Sequence, residues 1–454
     1  MYLIINGKTV TRRKEDPFIE NGAVAVSGDR IVSVGDQNEL SERFPDAERI
    51  DAKGGVIMPG LIDAHTHLYK SFMRGMPRGE AMSEGYYASL TDGIWRYDRT
   101  FECFDTAYSA LAGAVEYIRN GVTSVFDHHA GYGSVSGSLY AIAGMISAAG
   151  IRASLSYDVS QRCGFEACCE AVDESAGFID YCESESRDRI KAMFGLGESF
   201  ALYDIDLDCC ARKNTHIKPF HIHVSEGPDD RIMSLHNYGL TPVERLVKHG
   251  VLTDGSILAG CSDLRKRDMD AITGRNVFVV TDPLSDMMRA LDTADVFEMM
   301  RRGIVVGLGT DGETFDPLEN ARAFIASQRK HSGGTRRWVA EAAKMLFENN
   351  RLIAERSFGK GIGTLSEGVP ADVVIMDYDP FTRMDKTNYD EHIVFGMSGR
   401  CSMTMVAGKI LMRDRKLIAF DRDDYMPVIR KNCDALWKRL SECGSYEWSR
   451  IFAD

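Results

Sequence analysis

The middle of the chain alternates between short apolar runs and longer segments in which apolar residues recur at helical spacing. One such segment, "CFDTAYSALAGAVEYIRNG", ends at a glycine, where a helix typically stops. Eight apolar runs of strand length alternate with segments of this kind: "LIDAH", "VTSVFD", "IRASLSYD", "IKAMFGLG", "KPFHIHV", "GSILAG", "NVFVVTD" and "GIVVGLGTD". Because a strand followed by a helix is the repeating unit of a parallel sheet, eight units predict an α/β fold, a (β/α)₈ TIM barrel. A doubly wound sheet is the alternative, but its glycine-rich first turn is missing after "LIDAH".

The two ends of the chain share a different pattern, in which short alternating runs are separated by turn residues. The stretches "YLIINGKTV", "GAVAVSGDRIVSVGD" and "GGVIMPG" at the start, and "PADVVIMDYDP" and "MTMVAGKILMRDRKLIAF" near the end, are typical of strands joined by tight turns. We therefore expect a small β-sandwich domain built from both ends, with a helical tail behind it. The expected divisions are 1–58 and 365–420 for the β-domain, 59–364 for the barrel and 421–454 for the tail.

Charge and cysteine usage narrow the class of protein. Lys and Arg number 54 against 67 Asp and Glu, a net charge of −13, which argues against a nucleic-acid or anionic-membrane partner. The apolar run after Met1 is only four residues long, so neither a signal peptide nor a membrane span is predicted there. The eleven cysteines form no C-x-x-C pair, and the adjacent pairs 168–169 and 209–210 suit no zinc-ribbon spacing. We expect reduced thiols, a cytoplasmic location and a small-molecule substrate.

The first predicted barrel strand ends in the H-x-H motif His65-Thr66-His67. Residues two apart on a strand point to the same side, so one ion could contact both imidazoles. Since barrel active sites lie where strands end, these histidines are candidate metal ligands.

Two further strand ends carry matching chemistry. "HIHVSE" places His221 and His223 on one face, and Glu226 follows in the loop, where it could reach a metal-bound water without ligating the ion. "GLGTDG" ends the eighth strand, and its glycines allow the loop around Asp311 to approach the site closely. A carboxylate there would complete a set of three nitrogens and one oxygen with a position left open for water. The alternative for Asp311 is a helix N-cap.

"PGLIDAHTH", "HIHVSE" and "GLGTDG", in this order and framed by β-rich ends, resemble the amidohydrolase superfamily, in particular its cytosine deaminase, guanine deaminase and triazine chlorohydrolase branch. "GVTSVFDHHAGYGSVSGSL", "GLGTDGETFD" and "HIVFGMSGRCSMTMVAGKILMRDRKL" are most similar to its SsnA-type aminohydrolases. The resemblance implies that His65, His67, His223 and Asp311 bind one divalent ion, zinc or iron. It also implies that Glu226 carries a proton between water and a ring nitrogen, that Asp311 accepts a proton from that water, and that the chain forms a homo-oligomer.

The sequence departs from this family at the substrate-handling positions. Gly260, in "SILAGCSDL", stands where relatives carry a histidine that polarises the substrate. Thr281, Asp282 and Asp286, in "VVTDPLSDMM", replace a second histidine and two asparagines. "GLGESF" replaces a stretch that tends to contain His-Ala-Pro. Loss of one positioned acid–base or electrostatic group typically lowers a rate by roughly 10²–10⁴.

Three functional hypotheses follow. The first is a metal-dependent aminohydrolase (deaminase) of an N-heterocyclic small molecule. The second is a metal-dependent hydrolase of another carbon–nitrogen or carbon–halogen bond, although Lys191 is poorly placed to bridge two metals. The third is a degenerate relative that binds metal without turnover. His128 or His129 could supply the missing imidazole, whereas His249 is expected to be a helix-end residue.

Overall fold

The computed structural model describes residues 1–76, 85–184 and 188–443. In that part of the chain the strands are, in order, β1 Tyr2–Val10, β2 Phe18–Ser27, β3 Arg30–Asp36, β4 Glu48–Asp51, β5 Val56–Pro59, β6 Leu61–Thr66, β7 Val122–His129, β8 Arg152–Tyr157, β9 Ile190–Ala192, β10 Phe194–Leu196, β11 Phe220–Val224, β12 Ile257–Gly260, β13 Phe278–Thr281, β14 Val305–Leu308, β15 Val373–Met376, β16 Cys401–Val406, β17 Lys409–Arg413 and β18 Lys416–Leu417.

The α-helices follow the strands of the middle region and close the chain. They are α1 Gln37–Arg43, α2 Tyr86–Ser89, α3 Trp95–Asp98, α4 Cys103–Arg119, α5 Ser138–Ala149, α6 Phe165–Ser184, α7 Asp204–Lys213, α8 Pro228–Tyr238, α9 Pro242–Lys248, α10 Lys266–Ile272, α11 Pro283–Met288, α12 Val296–Arg301, α13 Pro317–Ser332, α14 Val339–Ala343, α15 Asn350–Phe358, α16 Tyr389–Glu391 and α17 Arg422–Glu442. Shorter 3₁₀ turns include Leu68–Met73, directly after β6.

Strands from both chain ends lie in one nine-stranded mixed sheet. Its order is β18-β17-β16-β15-β5-β1-β2-β3, with β4 beside β1. The late strand β15 pairs with the early strand β5 in antiparallel register, with Val373 opposite Pro59, which joins the two ends of the chain. The expected pairing of the termini is therefore present, while a sandwich of two layers stays a prediction.

The middle region contains parallel strands in two sheets, β6-β7-β8-β9 and β10-β11-β12-β13-β14. The fourth predicted strand is split at Met193, so that β9 belongs to one sheet and β10 to the other. Backbone bonds connect the sheets on both sides: Met193 N donates to Leu155 O at 3.0 Å, and Thr310 N donates to His65 O at 2.9 Å. Nearly every residue of these strands is buried, as expected for parallel strands covered on both faces.

Helix α17 packs on α4 and braces the segment after β6. Trp437 Nε1 donates to the carbonyl of Phe72 at 2.7 Å, and Arg439 pairs with Asp105 on α4. Helix α17 accounts for most of the tail predicted to be helical over 421–454, and residues 444–454 of that prediction lie outside the described part of the chain. No helix in the described part of the chain is both long and apolar enough to cross a membrane.

Candidate metal centre

Four buried side chains converge at the carboxyl ends of β6, β11 and β14. One donor atom from each of His65, His67, His223 and Asp311 lies within 4.8 Å of the others. Asp311 Oδ1 is 2.9 Å from His67 Nε2 and 3.5 Å from His65 Nε2. His65 Nε2 is buried and has no hydrogen-bond partner among the described residues. An orphaned imidazole nitrogen facing two other imidazoles and a carboxylate is a set of donors that fits a divalent ion such as zinc.

The loop after β14 is held in a strained turn that brings Asp311 to the cluster. Asp311 has a φ of 54°, in the left-handed region that non-glycine residues rarely occupy. Its backbone N–H and that of Thr310 donate to His65 O, and the Thr310 hydroxyl donates to Asp63. A side chain at Gly309 would lie 2.7 Å from His65 Cβ, so the glycine permits the close approach predicted from the motif.

The outer nitrogens of the His65 and His67 imidazoles are held by residues of neighbouring strands. His65 Nδ1 shares a hydrogen bond of 2.8 Å with His221 Nε2, and His67 Nδ1 bonds to the carbonyl of His128. Ser156 Oγ lies 3.3 Å from the other nitrogen of His221. Such outer contacts fix the ring orientation and tautomer of a ligating histidine. His221 therefore contacts a candidate ligand through its ring.

Burial sets the charge of the first two imidazoles. It lowers the pKa of His65 to about 4 and that of His67 to about 3, so both are neutral at pH 7 and able to ligate. Burial alone would also lower the pKa of His223, but the carboxylate of Asp158, whose Oδ2 lies 3.7 Å from His223 Nδ1, and the nearby charges of Glu226 and Glu198 raise that pKa to about 9. His223 must therefore lose a proton when it ligates an ion.

The second oxygen of Asp311 is occupied by donors from the 3₁₀ turn after β6 and from helix α11. Lys70 Nζ lies 2.8 Å from Oδ2, and the hydroxyl of Ser285 donates to the same atom at 2.5 Å. Burial would raise the pKa of Asp311, but Lys70 and the two β6 histidines outweigh it and hold that pKa well below its usual range. Asp311 is thus an anion with Oδ1 turned to the imidazoles.

Glu226 lies beside this cluster and is also ionised. Arg289 Nη2 donates to Oε1 at 3.0 Å, and the Tyr86 hydroxyl donates to Oε2 at 2.6 Å. Burial alone would raise the pKa of Glu226, but Arg289 and His223 lower it to about 2. A carboxylate in this state can accept a proton.

A second possible donor set shares His223 with the first. His128, Asp158 and His223 also place donor atoms within 4.8 Å of one another. However, Arg162 Nη1 lies 3.1 Å from Asp158 Oδ1, and the same guanidinium bonds to Asp98 at 2.8 Å. The first set supplies four donor residues and the second only three, which favours a single ion at the first set.

Gly260 is the position whose expected histidine is missing, and the structure explains why a side chain is absent. Its φ is 83°, and an added Cβ would lie 3.0 Å from Glu226 Oε1, 3.2 Å from Cδ and closer still to Cγ. The Glu226 side chain therefore occupies the space beside Gly260. The sequence alone indicated only that the expected histidine is missing here, whereas the structure shows that the glycine leaves room for the side chain of Glu226.

The three residues that depart from the family pattern at and after β13 do not supply an imidazole either. They are Thr281, Asp282 and Asp286, and all three are buried. Burial raises the pKa of Asp282, and that of Asp286, well above the usual range, which favours the protonated forms at neutral pH. A Cβ added at Gly309, beside the site, would point toward the Asp282 carboxyl.

The other candidate histidines do not line the cavity, although the ring of His128 packs against that of His223 with centroids 4.4 Å apart. His128 Nε2 is 3.2 Å from both Leu196 O and His221 O, and His129 lies against Thr106. His249 follows helix α9, as predicted, and bonds to Asp208 at 2.7 Å. None of the three lines the cavity, whose described lining is His67, Tyr69, Lys70, Leu90, Ile94, Asp98, Asp158, Arg162, Glu198, His223, Glu226, Arg289 and Asp311.

Several lining residues escaped the sequence analysis. Asp158 and Glu198 follow β8 and β10 closely, so the rule that barrel function gathers at strand ends could have found them. Lys70 and Arg289 also line the cavity, and Tyr86 bonds to Glu226; they lie in a 3₁₀ turn, after helix α11 and at the start of helix α2, and no motif in the sequence singled them out.

Comparison with known proteins identifies the family of this chain. The family described as "Amidohydrolase family" matches residues 56–411, and one described as "Imidazolonepropionase-like composite domain, bacteria" matches residues 22–47. A 5-methylthioadenosine/S-adenosylhomocysteine deaminase of Pelotomaculum thermopropionicum is 28% identical, over 96% of this chain and 99% of the relative. A 5′-deoxyadenosine deaminase of Methanosarcina mazei is 26% identical, over 97% of this chain and 99% of the relative.

A solved structure shares the fold. It is an adenosine deaminase from Xanthomonas campestris with bound zinc, with a TM-score of 0.85 and 20% identity over 96% of this chain and 98% of that one. The resemblance drawn from the motifs is confirmed, as is the interpretation as a metal-dependent hydrolase, of the aminohydrolase type, that acts on carbon–nitrogen bonds. Since the family match covers well over half of the chain, this protein belongs to the amidohydrolase family.

Proposed function

We propose that this chain is a zinc-dependent deaminase that hydrolyses the exocyclic amine from a nitrogen heterocycle. The observation that carries the proposal is the convergence of three buried imidazoles and one carboxylate beside a second, ionised carboxylate. His65, His67, His223 and Asp311 would hold the ion. When bound, such an ion lowers the pKa of a coordinated water from about 15.7 to roughly 7.

Glu226 is the proposed proton carrier. As a carboxylate it accepts a proton from the attacking water, and as the resulting acid it donates that proton to a ring nitrogen of the substrate. Tyr86 and Arg289 hold its two oxygens, which limits the rotation of the carboxylate between these two tasks. Asp311 is proposed as a second acceptor, although Lys70 already occupies its Oδ2.

Adenosine derivatives are the proposed substrate class. The two relatives described above carry names of deaminases that act on 5-methylthioadenosine, S-adenosylhomocysteine or 5′-deoxyadenosine, and each is matched almost from end to end. The polar lining of the cavity suits a heterocycle with several hydrogen-bonding edges.

At the level of the fold, we propose that the two parallel sheets form one closed (β/α)₈ barrel. The backbone bonds on both sides of the sheets support closure. The domain divisions 1–58, 59–364, 365–420 and 421–454 are retained as part of the proposal. The eleven free cysteines support a reducing, cytoplasmic location.

The test is ammonia release by zinc-loaded protein from adenosine, 5′-deoxyadenosine, 5-methylthioadenosine, S-adenosylhomocysteine, guanine and cytosine. We expect turnover of at least one purine compound by the wild type and none by Glu226→Gln, with zinc content equal in both. Glu313→Gln is the matched control, because Glu313 lies in the loop after Asp311 but outside the cavity lining. Equal turnover by Glu226→Gln would refute the proton carrier.

The remaining hypotheses are outcomes of the same experiment. Chloride release from a chlorotriazine without ammonia release from the purines would favour the carbon–halogen hydrolase. A full complement of zinc with no turnover on either panel would favour a metal-binding relative without activity.

A further inference from the structure

We propose that Arg289 is a positioning residue that holds Glu226 beside Asp311. The inference rests on the proposed function, because it concerns the same carboxylates, but the contact it invokes can be tested without substrate.

The geometry places the guanidinium of Arg289 between the two acids. Arg289 Nη2 lies 3.0 Å from Glu226 Oε1 and 3.7 Å from Asp311 Oδ2, and Nη1 lies 3.4 Å from Glu226 Oε2. Both carboxylates are buried, and the arginine side chain is only 15% exposed. A planar guanidinium can bond to both oxygens of one carboxylate while it screens a second anion, and it keeps its charge at any physiological pH.

The two departures from the family pattern meet at this arginine. Gly260 ends β12, and the absence of its side chain leaves the space in which the Glu226 carboxylate lies. Arg289 directly follows α11, the helix after β13, so the connection whose expected histidine is missing delivers the guanidinium. Oε1 of Glu226 lies close to both features, at 3.0 Å from the position of an added Gly260 Cβ and 3.0 Å from Arg289 Nη2.

The other cations of the cavity cannot fill this role. Lys70 bonds to Asp311 and is 3.7 Å from Glu313, and no described contact joins it to Glu226. Arg162 is enclosed by acids on its own side of the cavity, at 2.8 Å from Asp98 and 3.1 Å from Asp158. Arg289 is therefore the cation that links the proposed proton carrier to the proposed metal ligand.

The consequence for the reaction is positional. Two neighbouring anions repel each other, and a buried carboxylate without a partner would rotate or take up a proton. Arg289 keeps Glu226 ionised and aimed at the site before the reaction begins. It does not itself exchange a proton, because an arginine cannot be deprotonated in a protein.

The contact is tested first without substrate, by a double-mutant cycle in the zinc-loaded protein. Arg289→Met, Glu226→Gln and the double variant are compared by their thermal midpoints. We expect Arg289→Met to lower the midpoint markedly in the wild-type background and much less when Glu226 is already Gln. Arg302→Met is the matched control, because Arg302 also follows a helix, is also 15% exposed and pairs with other acids.

Coupling between Arg289 and Glu226, together with additive effects of Arg302→Met and Glu226→Gln, supports the inference. Equal midpoint shifts in both backgrounds overturn it. Either result stands whether or not the proposed deaminase activity is found, so the two proposals fail separately.

The second arm uses the best purine substrate of the ammonia panel. We expect Arg289→Met to lower kcat by roughly 10²–10⁴ with a KM within a few-fold of wild type and zinc content unchanged. Added guanidinium chloride at millimolar concentration should restore kcat at least tenfold in Arg289→Met and not in Glu226→Gln. A kcat that stays near the wild-type value, or a loss that guanidinium does not relieve, overturns the inference.

Discussion

Replacement of Gly260 by alanine tests whether this glycine is an adaptation to Glu226 or only a lost histidine. The added methyl group would point at the Glu226 side chain, at 3.0 Å from Oε1 and 3.2 Å from Cδ. Gly255 provides a matched control in the loop before the same strand. Its φ of 84° equals the 83° of Gly260 within a degree, but its added Cβ would meet only Pro219, at an ordinary distance of 3.4 Å.

Both substitutions add backbone strain, and Gly260→Ala also adds overpacking against a neighbouring side chain. An alanine in the left-handed region is strained by about 1–2 kcal/mol at either position. At Gly260 the overpacking against Glu226 adds about 1–3 kcal/mol, because Arg289 and Tyr86 hold that side chain in place. For a chain of 454 residues, 1 kcal/mol corresponds to about 1 °C in the thermal midpoint.

Differential scanning calorimetry of both variants is the assay, with zinc content and ammonia release measured on the same samples. We expect Gly260→Ala to unfold about 1–3 °C below Gly255→Ala and to lose turnover, since Glu226 must move. Gly260→His, which introduces the histidine expected from the family pattern, should also be inactive. Equal midpoints with full activity in Gly260→Ala would refute the view that Glu226 requires the space beside Gly260.

Three further predictions concern the metal centre. The pKa of His223 is raised to about 9 in the folded protein, so its protonation stabilises the metal-free protein by about 3 kcal/mol below pH 6.5. This stability should be lost as the pH rises through 9, and thermal unfolding measured against pH would detect the loss. Zinc affinity should rise about tenfold per pH unit over that same range, because ligation needs neutral His223. Titration against a chromophoric chelator measures this slope, and Asp158→Asn should flatten it. An unchanged slope in Asp158→Asn would refute the Asp158 contact. His221→Gln should weaken zinc binding about 10–100-fold, because His221 orients the ring of His65. His129→Gln should leave zinc binding unchanged, because His129 is buried but has no described contact with a candidate ligand. Equal zinc affinities of the two variants would refute the orienting role of His221.

The candidate ligands were predictable because their positions follow from a rule about strands. His65, His67 and His223 alternate on strands whose carboxyl ends meet at one edge, and Asp311 follows a strand that ends in glycines. In such a case the motif and the topology give the same answer. The pairing of the two chain ends in one sheet could be anticipated for a similar reason, since alternating runs with tight turns mark strands wherever they occur.

The polar surroundings of the ligands could not be predicted in this way. Tyr86 and Arg289 lie on connections whose course depends on tertiary packing, and the distance from Arg289 to Glu226 bridges 63 residues of sequence. Gly260 showed only which side chain was missing, not what filled its space. The break of the fourth strand at Met193 was also missed, because a continuous apolar run carries no mark of where its pairing partner changes.

The most direct test of the proposed metal site is a zinc-edge anomalous difference map from crystals of the zinc-loaded protein. We expect a single peak about 2.0–2.2 Å from one nitrogen of each of His65, His67 and His223 and from an oxygen of Asp311. A peak bound instead by His128, or no peak in contact with His65, would contradict it.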